Sequence, residues 1–100
     1  MSIMQNMMMA INQSLRDILR IIADLSHSDV NANILDTSVI DHSSLPLEEV
    51  NNSLAKLSSL GLIKMLKRTN NAENNRDQYY RLLNITSKGL QELSDTAYEE

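Results

Sequence analysis

A chain of 100 residues, 42% of them hydrophobic, can bury one core and not two, so it reads as a single domain. It has no Cys, which excludes a disulfide scaffold, a thiolate nucleophile and any thiolate metal site. Its net charge of −4 argues against indiscriminate nucleic-acid binding, and no apolar run approaches the ~20 residues that span a bilayer.

Phe and Trp are absent and Tyr occurs three times, so the core must be built from Leu, Ile, Val and Met. Two Gly and one Pro are too little punctuation for a many-turned β fold and favour helices. Residues 1–9 are Met-rich without a basic leader, which reads as no signal peptide and makes the cytoplasm the expected compartment. The charge is unevenly spread. Residues 63–85 hold Lys64, Lys67, Arg68, Arg76 and Arg81 against Glu73 and Asp77, a net +3, while the segments before and after sum to −4 and −3.

In chain order, Met4, Met8, Ile11, Leu15, Ile18, Ile22 and Leu25 are spaced alternately by four and three, the stripe of a helix over residues 5 to 25. The same spacing resembles a coiled-coil seam, so Met4, Met8, Ile11 and Leu15 are candidate contacts of a homodimer. Residues 1–11 then form an N-terminal extension of the first helix, and 12–98 the domain. Ser26 to Asp29 ends the helix. Val30 to Leu35 is either a short extended piece or the start of the next helix. Asp36 or Thr37 is the expected N-cap of a short helix that turns Val39 and Ile40 inward. Pro46 forbids a helix through Leu45, so a turn separates it from a third helix over residues 46–60. Leu47, Val50, Leu54, Leu57 and Leu60 form the expected inner stripe of that helix, and Gly61 stands where a left-handed residue ends it.

Beyond Gly61, residues 63–85 predict a two-stranded hairpin with an Asn-rich tip, and residues 87–98 a last helix capped by Thr86. The expected class is mainly α with a small β-hairpin, in the order helix, helix, helix, hairpin, helix. A tight turn between two short helices is the helix-turn-helix pattern.

Two stretches carry a family resemblance. Leu54-Ala55-Lys56-Leu57-Ser58-Ser59-Leu60-Gly61-Leu62-Ile63 resembles the end of the recognition helix in winged-helix regulators, and Ile85-Thr86-Ser87-Lys88-Gly89 resembles the boundary that follows their wing. Over about residues 12–97 the chain is similar to MarR-like and related archaeal and bacterial winged helix-turn-helix transcription regulators. The resemblance implies a winged helix that binds double-stranded DNA as a dimer. Asp77 matches the spacing of an Asp in the MarR pattern, but Gln78 and Tyr79 stand where arginines for the minor groove are expected; Arg76 is the alternative.

On the third helix, Asn51, Asn52, Lys56 and Ser59 lie away from or beside the Leu stripe, as base-reading side chains in a major groove would. Glu48 and Glu49 oppose phosphate there. Lys64, Lys67, Arg68, Arg76 and Arg81 are candidate phosphate contacts of the wing. His27 and His42 lack metal-ligand spacing, so no metal and no cofactor is expected. No Ser–His–Asp order, phosphate loop or paired acids suggest an enzyme. The expected function is a sequence-specific DNA-binding transcription regulator; the alternative is a winged-helix protein–protein interaction module that does not bind DNA. The sequence identifies no operator and no small-molecule effector.

Overall fold

The computed structural model describes residues 12–71 and 77–98. These form four helices and a three-stranded antiparallel sheet. Helix α1 (Gln13–Ser26) opens at Asn12, whose backbone is extended (φ −72°, ψ 176°) and whose side chain accepts the Leu15 N–H at 2.9 Å. An Asn side chain can satisfy a first-turn N–H, so among the described residues this helix starts at Gln13, where the apolar stripe suggested a start at residue 5. Met4, Met8 and Ile11, expected on the same stripe as Leu15, lie outside the described residues. At the other end, His27 adopts a left-handed conformation (φ 55°) and its N–H caps Ala23 and Asp24.

The ambiguous segment before Asp36 begins as a turn at Val30 and Asn31 and ends as a strand. Its last two residues form β1 (Ile34–Leu35), a third strand where a bare hairpin was expected. The Asn84 amide donates to the carbonyl of Ala32 at 2.8 Å and so fastens this segment to the sheet. Helix α2 (Asp36–His42) follows at once. Its cap residue is Leu35, with no side-chain cap bond, and Asp36 is its first helical residue, so the expected Asp36 or Thr37 cap is not formed. Helix α3 (Leu47–Ser59) lies within a residue of its expected bounds. Leu47, expected on its inner stripe, is 56% exposed, because it sits at the first position, before the helix meets the core; Leu60, past the last turn, is also exposed.

The long strands β2 (Ile63–Asn71) and β3 (Asp77–Ile85) pair in register from Ile63↔Ile85 to Asn71↔Asp77, and β1 lies against β3, giving the order β1-β3-β2. Alternation puts Ile63, Met65, Leu83 and Ile85 on one face, with Ile34 beside Leu83. That face meets Ile18, Leu19 and Ile22 of α1, Val39 of α2, and Val50, Leu54 and Leu57 of α3 in a wholly aliphatic core. Helix α4 (Ser87–Tyr98) closes it with Leu90 and Leu93.

The ends of α3 and α4 are joined by three successive carbonyls. Leu60 O accepts from Lys88 Nζ at 3.1 Å, Gly61 O from Thr86 Oγ1 at 2.8 Å, and Leu62 O from Thr86 N at 3.1 Å. Thr86 Oγ1 also accepts the Gly89 N–H at 3.0 Å, the expected helix cap. Gly61 takes the left-handed conformation (φ 78°) that the chain reversal needs. Gly89 has a different reason to be Gly: a Cβ there would stand 2.3 Å from the Leu62 carbonyl oxygen. In an unconstrained helix, Gly→Ala stabilises by up to about 1 kcal/mol. Gly89→Ala is expected instead to destabilise by about 1–3 kcal/mol, the usual range for overpacking, as read by urea denaturation.

Candidate nucleic-acid interface

The residues singled out on α3 divide in two. Glu48, Asn52, Ala55, Lys56 and Ser59 are exposed on the face opposite the buried Val50, Ser53, Leu54 and Leu57. Asn51 is half-buried at the edge nearest the sheet. The hydroxyl of Ser59 donates to the Lys56 carbonyl at 2.9 Å, and Glu49 accepts from Ser14 of α1 at 2.9 Å. Glu48, Asn52 and Lys56 therefore carry the polar chemistry of the outer face.

The hairpin cations also divide. Lys67 and Arg81 are cross-strand partners and continue the core-facing row one step beyond Met65 and Leu83. Lys64 and Arg68 belong to the opposite face, with Leu66, Tyr80, Leu82 and Asn84. The basic segment is thus not one patch. Lys64, Lys67 and Arg68 are exposed, and Arg76 lies outside the described residues.

Arg81 is not displayed to solvent as a phosphate contact would be. Its Nε donates to Asp36 Oδ2 at 2.9 Å and its Nη2 to Asn51 Oδ1 at 2.6 Å, so one guanidinium ties β3 to the first turns of α2 and α3. Its side chain is only 23% exposed and that of Asp36 9%. Arginine has only donors, so the Asn51 atom facing it must be the carbonyl oxygen, which fixes the Asn51 amide. Two of the expected DNA contacts, Arg81 and Asn51, are thereby engaged with each other. The physical reason is Asp36: a carboxylate buried at the sheet's edge needs a fixed cation, and the guanidinium bonds its Oδ2 while reaching a second acceptor; Asp36 Oδ1 is buried without a hydrogen-bond partner among the described residues.

Around this cluster the hairpin and the two helices border a cleft of about 440 Å³, lined by Asp36, Asn51, Lys67, Tyr79, Tyr80 and Arg81. Tyr79 is 69% exposed at its rim. The Asp36 partnership was not legible in the sequence, where a helix-opening Asp already has a local explanation as a cap. Local pattern does not single Arg81 out: Lys64 precedes the apolar pair Met65-Leu66 on a strand just as Arg81 precedes Leu82-Leu83.

Of the other expected sites, Leu15 is 6% exposed and packs within this chain's own core. His42 Nδ1 lies 2.8 Å from the Ser38 carbonyl, and His27 ends α1. Compared with known proteins, the chain matches no family model, no curated protein and no solved structure.

If the Asp36–Arg81 contact carries energy of its own, Asp36→Ala, Arg81→Met and the double variant should not be additive. A coupling of about 1–2 kcal/mol in urea-denaturation midpoints is expected. Additivity within about 0.5 kcal/mol would mean that the pair merely coexists.

Proposed function

We propose that the chain is a winged helix-turn-helix transcription regulator that binds double-stranded DNA in the cytoplasm as a dimer, with α3 as recognition helix and the β2–β3 hairpin as wing. The observation that carries this reading is the alignment of two polar surfaces. The exposed Asn52–Lys56 face of α3 and the exposed Lys67 of the hairpin belong to elements that Arg81 ties together, so helix and hairpin can meet a groove and its flanking phosphates as one unit. The hairpin's length supports it: nine residues per strand extend well past the last core pair, Met65–Leu83, and a projecting basic hairpin is what a wing requires. The motifs at Leu54–Ile63 and Ile85–Gly89 support it as well.

The dimer rests on the sequence seam at Met4, Met8 and Ile11, without Leu15. Removing residues 1–10 is expected to leave a monomer by light scattering; a full-length chain that is monomeric at high micromolar concentration would refute the dimer.

A second reading is a protein–protein module of the same fold that does not bind DNA. One transverse row of the sheet's outer face favours it: Leu35, Leu82 and Leu66 lie side by side across the three strands, with Leu35 43% and Leu66 52% exposed.

A salt titration of duplex binding separates the two. Lys56, Lys64, Lys67 and Arg68 offer at most four phosphate contacts per subunit, on two faces of the hairpin and one of α3. A dimer should therefore show a slope of log affinity against log salt of about −4 to −6. Lys67→Ala should flatten it by about 1.8 and weaken all sequences alike. Asn52→Ala should cost about 1–3 kcal/mol on the preferred site alone. Absence of saturable binding near ~50 mM salt would leave the protein-interaction reading.

A further inference from the structure

Beyond the last core pair the hairpin has no apolar anchor. Leu83 and Met65 are packed, but the next inward pair is Arg81 and Lys67, and the one after it Tyr79 and Thr69, both exposed. An isolated two-stranded ribbon is marginal in water and free to twist. At this point the structure supplies a polar anchor in place of an apolar one. The Arg81 guanidinium holds Asp36 and Asn51 together, two bonds in two directions from one planar group.

We propose that Arg81 is a positioning residue: it sets the angle between hairpin and α3 and holds the Asn51 amide, and it makes no contact with phosphate. The DNA part of this inference rests on the reading of the protein as a winged-helix DNA binder. Three features carry it. Turning the guanidinium toward a phosphate would break one or both of these bonds and would leave the buried Asp36 carboxylate or the half-buried Asn51 oxygen without its donor. Asp36 neutralises the charge at 2.9 Å, so the pair presents no net positive field to a phosphate. The bonds reach two different helices, so they constrain the hairpin about more than one axis.

The proposal has an unusual consequence for charge. Asp36→Asn removes a negative charge from an acidic protein, and long-range electrostatics alone would predict equal or tighter DNA binding. A positioning role predicts weaker binding. The test is a salt titration of duplex DNA binding for wild type, Asp36→Asn, Arg81→Gln and Arg81→Lys, with amide hydrogen exchange on the free proteins. Affinity is expected to fall about tenfold in all three variants, Arg81→Lys included because an ammonium lacks the fork. The salt slope should stay at the wild-type value. Exchange of the amides of residues 66–69 and 79–82 should rise about tenfold while that of Ile18, Leu19 and Ile22 is unchanged, which separates a loosened hairpin from global unfolding.

A slope flattened by about 0.9 per subunit in Arg81→Gln would overturn the proposal, because it is the signature of a lost phosphate contact. So would Asp36→Asn binding at least as tightly as wild type, or unchanged exchange in the hairpin. Wild-type protein that fails to bind duplex DNA would instead remove the DNA reading; the exchange data would then decide the anchoring role by themselves.

Discussion

Everything in this fold hangs from the three carbonyls where α3 ends. Leu60, Gly61 and Leu62 each present an acceptor that the helix cannot satisfy, and the Thr86–Lys88 segment satisfies all three. That segment is the end of β3 and the start of α4, so the bonds close the base of the hairpin and fix the Ile63↔Ile85 register. Once that pair is set, alternation assigns every later residue of both strands to a face. Gly89 then rides against the Leu62 carbonyl and brings Leu90 and Leu93 onto the core.

The same contact explains how much was readable in the sequence. The Gly61-Leu62-Ile63 and Ile85-Thr86-Ser87-Lys88-Gly89 stretches are two halves of one junction, so their chain order alone located α3, the hairpin and α4. These positions speak through local chemistry: a left-handed Gly, a Thr cap, a β-leaning run. Features that depend on tertiary context were silent or misleading. Asn12 sits inside an uninterrupted apolar rhythm, and periodicity does not register one side-chain bond to the backbone that ends a helix. Leu47 fits the inner stripe by angle but precedes the core by position. Strand β1 is two residues long and exists because β3 offers it an edge and Asn84 holds its approach. The Arg81–Asp36 pair spans 45 residues, a separation that local patterns do not reach.

Charge was legible as a sum and not as a surface. The net +3 of residues 63–85 suggested one basic wing, whereas pairing register splits it: Lys67 and Arg81 inward, Lys64 and Arg68 outward, and Arg81 neutralised. What is left facing α3 is modest. On the proposed DNA-binding reading, a protein of net charge −4 with so few aligned cations would draw its discrimination from polar side chains such as Asn52 more than from bulk attraction to phosphate.

The anchoring of the hairpin by an ion pair, and not by another Leu, has a physical logic. An apolar residue at position 81 would extend the core toward the α2 and α3 starts, but apolar contacts are non-directional and tolerate sliding. A guanidinium bonded to two acceptors does not: moving the hairpin by an ångström or so lengthens both bonds beyond useful range, at 2.9 and 2.6 Å in the present arrangement. The core fixes where the hairpin starts, and the Arg81 fork fixes where it points. The desolvation of Asp36 offsets much of the gain in stability, so the contact is better understood as a constraint on geometry than as a contribution to folding energy.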